Sequence, residues 1–464
     1  MTVESREWFQ EKKSLFVKRD PRIMSERVRP SGLAIGSFSH VQRDGWFYHE
    51  SNQIPSLDLV KIDKLLMLWG IRSMRLKDSL ESKRKTFNRT LYQRILHTFM
   101  TIMLGRWLLL TLTEMFPINQ NLYQCLGDFM EGYGSKYSRF VYKVEILFSA
   151  VIALVPHTLA GRWERDAKRT KWLDILSFMD RKRKYQSYGV PEGVATSVWI
   201  KALKNVKFLL PIVAGGVATT LGAIVLHCQL NRAEGGPTRL RWFWTGMDMA
   251  WVGLLSLHLV GFFLIFDILA HYFDVRSEKL VYDIQQIYKY KDELTKRERC
   301  SVIWTMLKEF NTICVQLNQT DHFWQYFLLP VLQLGPIAVL VGLNNNLLFK
   351  TRMNSPLHYN TIWILTLVIL FLWITFVLSA SKVSTRMHRV YLVLNRACLI
   401  PVDDSMKVRL EHAVKRFDGL HIGFNCFNMF TIGHEYLYHV SDLVQLVQFL
   451  LLIQLIQSAP SQCL

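Results

Sequence analysis

The sequence predicts an all-α integral membrane protein of seven transmembrane helices, with the N-terminus cytoplasmic and the C-terminus extracellular. Three observations predict it. The 464 residues are 50% hydrophobic and 20% charged, and the mean hydropathy is positive at +0.13. The apolar residues gather into seven stretches, at 91–116, 141–160, 207–228, 243–270, 323–343, 361–380 and 440–457. Each has the length, roughly 20 residues, that a helix needs to cross a hydrocarbon core about 30 Å thick. The positive charge falls on alternate connections. Of 56 Lys and Arg, 45 lie in residues 1–90, 162–206, 271–322 and 381–439, against 7 in the other connections and the C-terminal end. Cytoplasmic loops retain positive charge, which sets the orientation.

Residues 1–56, with Pro21, Pro30, Pro55 and mixed charge, read as a cytoplasmic tail, and 57–464 as the seven-helix domain. The opening MTVESREWFQEKK has no apolar run, so no cleavable signal peptide is expected. From Leu57 to Leu80 the chain is amphipathic: Leu65, Leu66, Leu68, Trp69 and Ile71 are interrupted by Lys61, Lys64, Arg72 and Arg75. That apolar core is too short to span and belongs along the inner membrane surface. Span one carries Arg94, Arg106 and Glu114. Arg94 and Glu114 lie near its ends, within snorkelling reach, whereas Arg106 is deeper and needs a partner. In span five, Pro330 and Pro336 are expected to kink the helix.

The two long inner loops keep helical periodicity. In 271–322 the apolar positions Leu280, Tyr282, Ile284, Ile287, Tyr288, Val302, Ile303, Leu307 and Phe310 recur with no Pro or Gly, so spans four and five extend into the cytoplasm as helices. In 381–439, Val390, Leu392, Leu394 and Leu399 precede Pro401, and Leu410, Val414, Phe417 and Leu420 follow it. Such projecting apolar faces need a surface to pack on, and neighbouring subunits are the expected one. The basic runs 83–85 and 181–184 read as solvated faces near anionic lipid and not as nucleic-acid patches. Two N-glycosylation triplets, Asn88-Arg89-Thr90 and Asn318-Gln319-Thr320, fall on the inner side and should be unused. On the outer side, Cys125 and Cys228 are placed where a bridge would be compatible with the topology.

Signals of soluble enzymes are missing: there is no phosphate-binding glycine loop, GxSxG elbow, CxxC or metal pair at helical spacing, so no enzyme, metal or cofactor is expected. His434 and His439 are five apart, not the four that would share one helix face. The last span is the most informative. At about 100° per residue, Asp442, Gln445, Phe449, Leu452 and Ile456 share one stripe, with Gln448 beside it. Polar groups facing lipid are costly, so the stripe should face protein or water. Around a common axis, copies of this helix would place Asp442 in a cation-attracting ring and Phe449 with Leu452 in an apolar constriction. Alternatively, the glutamines hydrogen-bond between packed helices of one chain.

Seven spans, a cytoplasmic N-terminus, long inner extensions after spans four and six, and a C-terminus just beyond span seven resemble the insect chemoreceptor superfamily, and within it the gustatory receptors. Their signature in the last helix is Thr-Tyr, five mostly apolar residues, then Gln-Phe. Gln448 and Phe449 match its second half at the right spacing, while Ser441 and Asp442 occupy the Thr-Tyr positions. The stretch 65–71 and Gly423-Phe424-Asn425 before span seven are also similar to the family. The resemblance implies a homo- or heterotetrameric ligand-gated cation channel of the plasma membrane. It implies that Gln448 lines the lumen, Phe449 sits at the hydrophobic gate, and a small-molecule pocket opens outward among spans two to six. Pocket candidates are the polar and aromatic residues of the outer halves: Thr219, Thr220, Trp244, Asp248, Trp251, Tyr359 and Trp363. Trp244, Tyr359 and Trp363 fit equally as interfacial anchors, whereas a carboxylate inside an apolar span, Asp248, marks a functional site by default.

Membrane lipid is the expected surround, and nucleic acid is not an expected partner. A seven-helix G-protein-coupled receptor would put the N-terminus outside and the bulk of the positive charge on the wrong face, and its Asp-Arg-Tyr and Asn-Pro-x-x-Tyr motifs are missing. A relative with the chemoreceptor fold and a non-sensory role is the other alternative, suggested by Ser441 and Asp442.

Overall fold

Five helices and one short strand pair make up the continuous part of the computed structural model. It describes residues 83–116, 239–348, 356–415, 422–426 and 430–433, individual residues between 126 and 222, and Gln445. The helices are α1 (Lys83–Met115), α2 (Arg239–Lys289), α3 (Lys296–Leu348), α4 (Pro356–Ala397) and α5 (Asp404–Lys415). Strands β1 (Asn425–Cys426) and β2 (Phe430–Thr431) pair antiparallel, Asn425 opposite Thr431. All of these lie in one unit, Pro55–Leu464.

The expected continuation of spans four and five through their loop is what the backbone does. α2 runs 51 residues and α3 runs 53, each about 75 to 80 Å at 1.5 Å per residue, over twice the hydrocarbon thickness. They are joined by a tight connection in which Tyr290 N–H still donates to Gln286 O. α3 then starts on a capping box: Thr295 Oγ1 accepts from Glu298 N–H while Glu298 Oε2 accepts from Thr295 N–H at 2.9 Å. Those bonds hold the exposed Glu298 carboxyl below its usual range. α4 also runs past its predicted span to Ala397, its last turn closes with Ile400 N–H to Ala397 O, and Pro401 ends it. α3 is helical through Pro330 and Pro336. Between them and α4 the approach is close, since a Cβ on Gly335 would lie 2.5 Å from Trp373 Cδ1.

α2, α3 and α4 pack together around an aromatic core. Phe266 stacks on Phe376 at 4.1 Å between ring centroids, and Trp324 and Phe424 meet it at 5.0 and 4.8 Å. Further down, Ile284, Ile287, Ile303, Met306, Leu394 and Leu410 close on one another, joining α2, α3, α4 and α5. The apolar faces expected to need neighbouring subunits are thus largely satisfied within the chain. Apolar residues that stay outward on these extensions include Tyr282, Tyr288, Trp304, Val315, Leu392 and Leu399, the last 74% exposed.

α1 is apolar on both sides. Met100, Met103 and Trp107 are buried against Ile146, Ala150, Trp251 and Leu255, while Ile95, Ile102 and Leu108 face outward at half exposure or more. A helix with an apolar outer face suits lipid, not water. Among the described residues, Arg94–Met115 and Trp242–Lys289 are long and apolar enough to cross a membrane, each holding an 18-residue stretch with mean hydropathy of 1.5 and 2.2 respectively. The 318–320 glycosylation triplet is within α3, with Asn318 exposed and Thr320 fully buried.

Candidate functional site

Ionisable groups inside apolar helices must be matched, and α1 and α2 show how around Arg106 and Asp248. Arg106 NH1 donates to Asp248 Oδ1 at 2.5 Å, with side chains 3% and 0% exposed. The remaining guanidinium donors reach two carbonyls: Nε to Leu126 O and NH2 to Gly127 O, both at 2.9 Å. Trp107 Nε1 adds a second bond to Asp248 Oδ1 at 2.9 Å. The guanidinium lies over the Trp244 ring at 4.5 Å, and Trp107 stacks on Trp251 at 5.8 Å. Gly127 is required by this packing. Its φ is +61°, and a Cβ would meet Trp244 Cδ1 at 2.6 Å.

About two helical turns further along α1, Glu114 is also buried. It does not snorkel, as its position near the span end suggested: Lys143 Nζ donates to Glu114 Oε1 at 2.7 Å and Arg139 Nε to the same oxygen at 3.0 Å. Lys143, at the start of span two, supplies a partner that its distance in sequence hides.

Polar networks tie the C-terminal half of α2 to its neighbours. Ser379 Oγ donates to Asp267 Oδ1 at 2.5 Å, and Lys201 Nζ lies 3.6 Å from Asp267 Oδ2. Arg276 reaches Glu309 through Nε and NH2 and Gln316 through NH1 at 2.7 Å. Arg386 of α4 bridges Asp274 and Glu278 of α2.

The β1–β2 segment forms a strap across these helices. Phe424 is buried in the aromatic core, against Phe266 and Phe273. Ser384 Oγ donates to Ile432 O at 2.8 Å, and Ile432 N–H to Phe424 O at 2.9 Å. Asp321 of α3 accepts twice from Asn425, from the backbone N–H at 2.8 Å and from Nδ2 at 3.1 Å. Burial pushes the Asp321 carboxyl up to about 6 against these two hydrogen bonds, which pull it down. Gly423 sits where any side chain would collide with Ser384 and Thr431.

Three pocket candidates therefore come together: Asp248, Trp244 and Trp251 surround or support one buried ion pair with Arg106. Tyr359 and Trp363 are helical residues of α4; Thr219 and Thr220 lie outside the described residues, as do Cys125 and Cys228. In the last span, Gln445 is helical and exposed. Asp442, Gln448, Phe449 and Leu452 lie outside the described residues. Sequence reading did not single out Asp267 or Asp321. The signal for Asp267 was present, a carboxylate within an apolar span, whereas Asp321 just precedes one.

No family model matches the chain, and no curated protein matches it by sequence. Solved structures do match. The insect olfactory receptor OR5 from Machilis hrabei superposes with a TM-score of 0.60 at 12% identity, over 86% of this chain and 98% of that one. The same receptor in complex with eugenol gives 0.63 at 11% identity, over 85% and 97%. The chain has the fold of an insect olfactory receptor.

Proposed function

We propose that the chain is a member of the insect chemoreceptor superfamily, acting as a gustatory-receptor-like, ligand-gated cation channel in the plasma membrane. It is not an enzyme in this reading. The observation that carries it is the likeness to an olfactory receptor over nearly the whole of both chains. One of those receptor structures holds eugenol, and a small organic molecule is the proposed ligand class here too. Seven helices cross the bilayer with the N-terminus inside, as the alternation of positive charge requires. Four subunits, identical or not, place their last helices around a central water path, with Asp442 as a cation-attracting ring, Gln445 and Gln448 toward the lumen, and Phe449 with Leu452 as the constriction. The exposure of Gln445 on a single chain agrees with this.

Whole-cell recording in cells expressing the chain tests it. Asp442→Asn should lower cation preference, and Phe449→Ala should raise basal leak. Ligand-evoked current untouched by either change would refute the pore assignment, and surface labelling of an N-terminal tag on intact cells would refute the orientation. Ser441 and Asp442, where the family has Thr and Tyr, favour a second reading, a relative with this fold and a non-sensory role; a conducting chain that answers to no tastant would support it.

A further inference from the structure

Two helix faces far apart in sequence meet near the predicted cytoplasmic ends of spans three and six, and both carry lysines. The described residues at the start of span three are helical, and Lys201, Lys204 and Phe208, spaced i, i+3 and i+7, share one face with Lys207 beside it. On α4, Phe371 and Lys382 are eleven residues apart, which places them within about 20° of each other around the helix. The two faces touch, Phe208 meeting Phe371 at 6.5 Å between ring centroids. Toward the other end of the contact, Lys201 Nζ lies 3.6 Å from Asp267 Oδ2, and Ser379 of α4 donates to the second oxygen of that carboxylate. One turn along α2, His271 feels the charges of both Lys201 and Lys382. Span three and α4 therefore run antiparallel, with Lys201 near the level of Ser379 and Phe208 near that of Phe371. This register puts lysines against apolar turns. Phe371 precedes the predicted end of span six, Ala380, by about two and a half turns, and Lys204 and Lys207 lie between the two levels.

Lys204, Lys207 and Lys382 are exposed, as are Phe208 and Phe371 between them. Among the described residues, no carboxylate forms an ion pair with any of these three lysines. Ammonium groups beside a lipid-facing apolar groove are costly unless an anion neutralises them where they stand. We propose that the groove between span three and α4 binds an anionic glycerophospholipid of the cytoplasmic leaflet. Lys204, Lys207 and Lys382 hold the phosphates of its headgroup, with Lys201 at the edge of the site, and its acyl chains lie on Phe208 and Phe371. The charge matches a headgroup with more than one phosphate, and the two exposed rings match the chains, which a free phosphate lacks. The site rests on the proposed membrane orientation and does not depend on conduction.

Native mass spectrometry of the full chain in detergent, titrated with phosphatidylinositol 4,5-bisphosphate or with phosphatidylcholine, tests it. The bisphosphate lipid should saturate one site per subunit in preference to phosphatidylcholine. Lys204→Gln with Lys207→Gln should weaken its binding about 25-fold, at about fivefold per lysine. Lys204→Arg with Lys207→Arg should retain it, which separates loss of charge from loss of fold. Lys83→Gln with Lys85→Gln, in the basic run before span one, should leave it unchanged. The free headgroup, inositol trisphosphate, should compete poorly because it has no chains for Phe208 and Phe371 to hold. Equal weakening by the two Gln pairs would mean a diffuse basic surface and would overturn the site. So would a lack of preference over phosphatidylcholine, or competition by the free headgroup at the concentration of the lipid. Selective lipid binding with no evoked current would count against the channel reading alone; evoked current without lipid selectivity would count against the site alone.

Discussion

Arg106→Met should destabilise the protein by about 3 to 5 kcal/mol, because it leaves the Asp248 carboxylate in an apolar interior without its cation. The magnitude follows from burial: the two side chains are 3% and 0% exposed, so little water is available to replace the lost partner. The Trp107 N–H remains as a neutral donor to Asp248. Leu126 and Gly127 also lose the donors that their carbonyls use. Asp248→Leu should be comparably harmful from the other side, stranding a guanidinium. The double variant Arg106→Met with Asp248→Leu should recover most of the loss, since a matched apolar pair of similar volume avoids burying charge at all. Thermal unfolding of detergent-purified protein, followed by fluorescence-detected size exclusion, reads all three. A double variant as unstable as the sum of the singles would refute the reasoning, for it would mean that shape and not charge governs the site.

Phe424→Ala should cost about 3 to 5 kcal/mol, because a fully buried ring leaves a cavity beside Phe266 and Phe273; the same unfolding assay checks it, and a loss under 1 kcal/mol would show that the strap is not seated there. Gly127→Val should destabilise by more than the 1 to 3 kcal/mol of backbone strain, since the new side chain also meets Trp244; surface expression that matches the native chain would contradict this. Lys143→Met should leave Glu114 leaning on Arg139 alone. Because Lys143 is buried, the loss should be larger than for the part-exposed Arg139→Met, and the reverse ranking would show that Arg139 is the principal partner.

Helix length was readable in the sequence because it is a local property. The run from Leu280 to Phe310 keeps its apolar period without Pro or Gly, and nothing in it could end a helix except the polar connection before Thr295. Pro401 marks the end of α4 for an equally local reason. Pairing is not local. Arg106 was recognisable as a residue in need of a partner, and Asp248 as a carboxylate out of place, yet 142 residues separate them and no spacing rule links such positions. Glu114 shows the opposite error. Its place near a span end made escape to water reasonable, but Lys143 at the start of the next span and Arg139 just before it reach it first. The projecting faces of α2, α3 and α4 seemed to call for neighbouring subunits because a periodic stripe announces that it must be covered without saying by what; α5 folds back and covers much of it.

α2 is the element common to both halves. Trp244, Asp248, Trp251 and Leu255 lie three or four residues apart and face α1, while Phe266, Phe273 and Arg276 face α3, α4 and the strap. A helix fixed by buried charges at one end and by an aromatic cluster at the other has little freedom to bend between them. A displacement of the Arg106 end should therefore be carried to Phe424 as movement of the whole helix. Sites this far apart on independent elements would add within about 0.5 kcal/mol. We predict that Arg106→Met and Phe424→Ala do not: their combined destabilisation should depart from the sum by more than that, because both loosen the same strut. Simple additivity would show that the Arg106–Asp248 ion pair and the strap are held separately, and that α2 does not carry a displacement of its N-terminal end to the segment before the last span.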